Sequence, residues 1–251
     1  MPLSKNDIKY IKSLRLKKFR QKYNNFVVEG DKIVRELLEQ QPDWIEALYG
    51  LDKWIHELPP SPVAATVISQ RELQQASLLK TPNQAIAIVR QPKANWHRLN
   101  LQQQLSLYLE NLQDPGNMGT ILRIADWFGI QTVLCSPNCV DLYNPKVIQA
   151  SMGAFLRVQT ATALIKEVKE GYPALPLLAT TMGGANVFTA DVPQAALIAV
   201  GNEGMGLSTE LLEMADRRIA VPPNRNSGTE SLNAAVATGI ICAVLTQAGL
   251  Q

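Results

Sequence analysis

The chain has 251 residues, 46% of them hydrophobic and 18% charged, with a formal net charge of +2, which fits a globular fold with a real core and excludes a disordered chain. Three cysteines, Cys135, Cys139 and Cys242, and two histidines, His56 and His97, leave no disulfide framework, no zinc ligand set and no Ser-His-Asp hydrolase, so no metal is expected. No stretch approaches the ~20 apolar residues of a membrane span, and MPLSKNDIKY has no apolar run behind its charges, so a cytoplasmic protein without a signal peptide is expected.

The charge is unevenly distributed. Residues 1–98 hold 16 Lys and Arg against 10 Asp and Glu, whereas 99–251 hold 8 against 12. The first 22 residues alone carry eight cations and a single acid, Asp7. Such a basic end is suited to a polyanion.

In chain order, 6–14 reads as a short helix, followed by the basic segment RLKKFRQKYNN. FVVEG is a strand, and DKIVRELLEQ is a helix with Ile33, Val34, Leu37 and Leu38 at helical spacing. IEALYG, VAATVIS and AIAIVR follow as strands, with RELQQASLL a helix before the last. This alternation predicts a small α/β layer structure. QPKANWHRLN has Pro, Asn and no periodicity, as a linker would. The division is a first domain over 1–95, a linker at 96–104 and a second domain over 105–251.

The second half restarts with the strand LSLYLENL and the helix GTILRIADWFGI. TVLCS is a strand, PKVIQASMGAFL a helix, RVQT a strand edge, and ATALIKEVKEG a helix with Gly171 as its expected C-cap. PLLATT, AALIAVGNE and RRIAV are strands, TELLEMA is helical, and SLNAAVATGIICAVLTQAG is a long apolar helix. Strands this apolar need cover on both faces, so a parallel sheet between helix layers is expected.

Ligands of open α/β sheets bind beyond the carboxyl ends of the strands. Three loops there are rich in Gly, Asn, Ser and Pro: QDPGNMGT, NEGMG and PPNRNSGTESLN. No Gly-x-Gly-x-x-Gly or Gly-x-x-x-x-Gly-Lys-Ser/Thr is present, which disfavours dinucleotide and triphosphate sites. Asn117 alone could be only a helix N-cap. Arg123, near a Gly-rich loop in a half poor in cations, suits a phosphate or carboxylate.

Taken together, NMGTILRIADWFG, DLYNPKVIQASMGAF, IAVGNEGMGLS and IAVPPNRNSGTESLNAAVA resemble, in order, the motifs of the SpoU (TrmH-like) family of RNA ribose 2′-O-methyltransferases. The matching residues are Asn117, Gly119 and Arg123, then Asn144, Lys146, Ser151 and Gly153, then Gly201 to Gly206, then Pro222, Ser231, Leu232 and Asn233. The resemblance implies a C-terminal trefoil-knotted α/β domain of the SPOUT type, a homodimer and S-adenosylmethionine as cofactor. The N-terminal region looks like the family's small α/β RNA-binding sandwich, which tilts the substrate towards 23S rRNA over tRNA. A fold-retaining RNA-binding or ribosome-assembly protein without turnover is the other reading.

On this resemblance Arg123, Asn117, Glu203, Ser231 and Asn233 form the catalytic set. Thr180, Thr181, Gly201, Asn202, Gly204, Ile219 and Leu232 hold the cofactor. Lys12, Arg15, Lys17, Lys18, Arg20 and Lys22 meet RNA. A guanidinium is a poor base, so Arg123 is expected to anchor phosphate and orient the hydroxyl.

Overall fold

The computed structural model describes residues 3–92, 94–191, 193–202 and 204–247. In chain order the elements are α1 (Lys5–Ser13), α2 (Lys17–Tyr23), β1 (Asn25–Glu29), α3 (Asp31–Gln40), β2 (Ile45–Leu51), α4 (Asp52–His56), β3 (Ala65–Ile68), α5 (Gln70–Ala76) and β4 (Ala85–Arg90). There follow β5 (Leu105–Leu109), α6 (Pro115–Trp127), β6 (Thr132–Cys135), α7 (Pro145–Ser151), β7 (Gln159–Thr162), α8 (Ile165–Gly171), β8 (Leu177–Asn186), β9 (Ala196–Val200), α9 (Thr209–Met214), β10 (Arg217–Ala220) and α10 (Ala234–Gln247). Two compact units result: Met1–Lys93 with Asp141–Leu156, and Ala94–Val140 with Arg157–Gln251.

The first unit is built on a four-stranded sheet ordered β1-β4-β2-β3, antiparallel except for the β2/β3 pair. Side chains alternate between its faces, which splits the core in two. Phe26, Val28, Ala87 and Val89 pack with Val34 and Leu37 of α3 and Trp54 of α4. Val27, Ile86 and Ile88 pack with Ile11 of α1 and Leu73 of α5. Both α1 and α5 start with capping boxes, Ser4 with Asp7 and Ser69 with Glu72, which satisfy amides that would otherwise be orphaned. The segment 141–156, placed in the second domain by sequence, groups with this unit. Ile148 and Leu156 complete its Phe26 cluster, and the Gln149 amide donates to the Glu29 carbonyl at 2.9 Å.

The second unit holds a six-stranded sheet ordered β10-β8-β9-β5-β6-β7, parallel throughout. Tyr108, Leu134, Leu197 and Ala199 join Ile165 and Val168 of α8 and Leu211 of α9 in one core. Their neighbours Leu107, Val133, Ile198 and Val200 are buried as well, as expected for strands covered on both sides. Helices α6 and α10 pack against each other and bury Ile121, Leu122 and Cys242.

Some local expectations change. Helix α6 starts at Pro115 with Asp114 as its cap, so Asn117 is not the N-cap but a residue of the first turn. Gly171 is the last residue of α8 and not its cap; Tyr172 takes that place, and its amide donates to Val168 O. Helix α4, five residues long, gave no periodic signal.

Candidate functional site

Strands β9 and β10 end at, and the middle of β8 lines, a cavity of about 670 Å³ in the second unit, within the ~300–1,000 Å³ usual for small-molecule sites. Its wall is opened by an irregularity in β8. Ala179 pairs with Arg218 and Ala185 with Ile219, so residues 180–183 bow out of the ladder with β10 and Gly184 returns against Ile219. Glycine permits this: a Cβ at Gly184 would fall 2.4 Å from the Ile219 carbonyl carbon. Thr180, Thr181 and Met182 of the bow line the cavity.

The opposite rim is the loop after β9. A Cβ on Gly201 would lie 2.4 Å from the Gly206 carbonyl carbon, so the two backbone stretches can close only with glycine there. Asn202 and Gly206 exchange backbone hydrogen bonds of 3.2 and 2.8 Å. The Asn202 carboxamide accepts from the amides of Gly204 and Met205 and donates to Asn111 O at 3.1 Å. Its side chain therefore builds the loop. Below it, the buried Glu110 carboxylate accepts from Ser208 N at 2.7 Å and Ser208 Oγ at 2.8 Å, while Ser208 caps α9.

All seven residues expected at the cofactor, Thr180, Thr181, Gly201, Asn202, Gly204, Ile219 and Leu232, line this one cavity, as does Ser231. Among the described lining residues none is charged. Apolar walls from Ile219, Leu212 and Leu232, with close backbone approach at Gly201, suit a flat heteroaromatic group held by main-chain groups. Glu203 lies outside the described residues.

The remaining catalytic candidates separate. Asn233 caps α10, its Oδ1 accepting from Ala235 and Val236, and its Nδ2 donates to Asn117 Oδ1 at 2.9 Å. Both line a second cavity, of about 440 Å³, together with Thr120 and Ile124 of α6 and Gly239 of α10. Arg123 is exposed and lines neither cavity. On a helix it is turned about 120° from Asn117, six residues earlier.

Sequence reasoning missed Glu110 and Asn111. Their signal was an acid and an amide directly after the apolar strand LSLYL; Glu110 is buried, and Asn111 takes a left-handed backbone with φ 55°. Nearby, Cys139 donates to Leu109 O, and hydrogen bonds from Cys135 and Ser136 hold its thiol down to about 6.

In the first unit, Lys12, Arg15, Lys17, Lys18 and Lys22 are exposed. Arg20 is not available to RNA. It is 2% exposed, donates to Asp141 at 2.9 Å through Nε and also bonds the carbonyls of Leu14 and Arg15, so its charge is spent inside the protein.

The SpoU rRNA Methylase family matches residues 104–243. The chain belongs to that family. An MRM3-like substrate binding domain matches residues 5–87. The chain is 29% identical over 241 residues to RlmP of Bacillus subtilis, a 23S rRNA guanosine 2′-O-methyltransferase, covering 93% of each. It is 27% identical over 247 residues to an uncharacterized tRNA/rRNA methyltransferase of Synechocystis, covering 93% of this chain and 88% of that one. A solved structure from Porphyromonas gingivalis, assigned to the TrmH family of RNA methyltransferases, superposes with TM-score 0.87 at 32% identity over 98% of this chain and 99% of that one. An AdoMet-bound rRNA methyltransferase of Sinorhizobium meliloti shares the fold, with TM-score 0.87 at 23% identity over 100% and 98%. This SpoU chain is thus an RNA methyltransferase by family, with its matched region containing both cavities.

Proposed function

We propose that the chain transfers a methyl group from S-adenosylmethionine to a ribose 2′-hydroxyl of structured RNA, with 23S rRNA as substrate. The observation that supports this most is the gathering of the seven expected cofactor residues around one cavity, with no charge among its described lining residues, inside the SpoU-matched region. Thr180, Thr181, Gly201, Gly204, Ile219 and Leu232 would hold the cofactor, with Asn202 keeping its loop in shape. When bound, S-adenosylmethionine supplies an electrophilic methyl group.

The protein's remaining work is alignment and handling of the hydroxyl proton. Arg123 anchors an RNA phosphate and orients the 2′-hydroxyl, a task that suits a guanidinium better than general base chemistry. Asn117 and Asn233 hold each other at the edge of the site, and Ser231 offers a hydroxyl from the cavity side. Since Arg123 lines neither cavity of its own chain, a second copy completing the site is the natural arrangement, and we take the working form as a homodimer. The α6/α10 side carries the apolar surface for it: Trp127 is 83% exposed and Val236 51%. The trefoil knot belongs to the same proposal, supported by the insertion of β9 between β5 and β8.

The N-terminal region grips RNA through its cations and the second unit does the chemistry, in the cytoplasm. The rRNA substrate is favoured over tRNA by the full-length likeness to RlmP and by the match to a substrate binding domain. Incubation with labelled S-adenosylmethionine and total rRNA tests the proposal. Label is expected in an alkali-resistant dinucleotide. Tight RNA binding without transfer would leave the fold-retaining RNA-binding reading instead, and transfer to tRNA alone would move the substrate.

A further inference from the structure

We propose that Tyr23 and Phe19 form a stacking ledge that receives an unpaired base of the RNA, so that the N-terminal unit selects strands with unpaired nucleotides and not only negative charge. The inference rests on the RNA-methyltransferase reading above and specifies how its substrate is held.

Helix α2 places Phe19 and Tyr23 one turn apart, and their rings lie 6.3 Å apart and within 11° of parallel. Tyr23 remains 42% exposed although the core of the unit is well filled. An aromatic ring at the end of a strongly basic helix could have been tucked beneath α1. Instead Tyr10 of α1 meets it edge-on, at 5.0 Å and 88°. Tyr10 is itself fixed, because Asn25 Nδ2 donates to its hydroxyl at 2.8 Å. Asn24, left-handed with φ 56°, ends the helix directly after Tyr23. The ring is therefore held in place before any ligand arrives, which lowers the ordering cost of stacking.

The surroundings specify the occupant. Lys18 Nζ sits 5.0 Å from the centre of the Phe19 ring and Lys22 Nζ 5.2 Å from that of Tyr23. Lys5, Lys9, Lys12, Arg15 and Lys17 add five exposed cations in the same two helices and the turn between them, against Asp7 alone. None of these seven is in an ion pair among the described residues. Aromatic faces interleaved with free cations are what single-stranded nucleic acid needs, since bases stack on rings while ammonium groups follow the phosphates. A duplex hides its base faces and offers only the charges. An ammonium lying over a ring can swing onto the phosphate of the nucleotide that takes its place.

The full-length protein is titrated with two RNA probes of equal phosphate number, a hairpin with a uridine loop and a blunt duplex, over a range of salt. The wild type should prefer the hairpin. Tyr23→Ala and Tyr23→Leu should each weaken hairpin binding by about tenfold or more, leaving duplex binding and the salt slope unchanged, with Tyr23→Trp restoring the preference. Replacing Lys17, Lys18 and Lys22 together should instead flatten the salt slope for both probes. Unchanged far-UV circular dichroism and thermal unfolding would show that each variant is folded, and Tyr23→Leu keeps the apolar contact if Tyr23→Ala does not fold. Equal loss on both probes, or no loss on the hairpin, would overturn the ledge. If rRNA methylation persists in that case, only the ledge falls; a wild type that binds neither RNA and methylates none overturns both readings.

Discussion

Asn233 Nδ2 donates to Asn117 Oδ1 at 2.9 Å, joining residues 116 positions apart at the starts of two packed helices. Asn233 also caps α10 with its own oxygen. One side chain thus sets the beginning of one helix and fixes its position against another. Asn233→Ala should lose about 1 kcal/mol from the missing cap alone. In a double-mutant cycle with Asn117→Ala, methyl transfer should fall less in the double variant than the two single losses predict, because either change breaks the same bond. Additive losses would separate the two residues.

Gly201 tests the cavity rim. A methyl group there meets main-chain atoms of Gly206 and Leu207 at 2.4–2.6 Å, and backbone cannot yield as a side chain does. Gly201→Ala should cost about 1–3 kcal/mol in stability and abolish S-adenosylmethionine binding measured by calorimetry. Gly183→Ala, on the β8 bow with nothing within 4 Å of its added Cβ, is the matching control and should bind normally.

Glu110 works at one remove, by holding Ser208 and so the loop that rims the cavity. Glu110→Gln puts an NH₂ group against donors that now share a carboxylate. Cofactor affinity should fall about tenfold, the scale of one charge-assisted hydrogen bond, while circular dichroism stays native. Because the residue positions the loop and does not meet the reacting atoms, turnover at saturating cofactor should be nearly preserved.

Arg20 and Asp141 form a largely buried pair, 2% and 17% exposed. Asp141→Ala strands a guanidinium in the interior and should destabilise the first unit by roughly 3–5 kcal/mol, read by thermal or denaturant unfolding. Lys18→Ala, which removes an exposed charge two residues away, should change stability by less than about 0.5 kcal/mol.

The alternation of apolar strands and helices was plain in the sequence because strand periodicity and cap residues are local signals. What pairs with what was not. The strands FVVEG and AIAIVR give no sign that β1 and β4 run antiparallel, and PKVIQASMGAFL is apolar enough to fill either core. It joins the first because Ile148 and Leu156 fit beside Phe26. Arg20 looked like one of eight interchangeable cations since its partner lies 121 residues further on. At the candidate site the glycine and asparagine motifs pointed to loops that rim the cavity. The acid that steadies one of them, Glu110, passed as the end of a strand, because burial cannot be read from a single residue.

The central claim is ribose methylation of ribosomal RNA, and it is tested most directly by mapping 2′-O-methyl groups in rRNA from cells with and without the gene. One 23S site should be methylated in the parent, unmodified in the deletion, restored by the wild-type gene and not by one encoding Arg123→Ala. Identical methylation maps in the two strains would contradict the account.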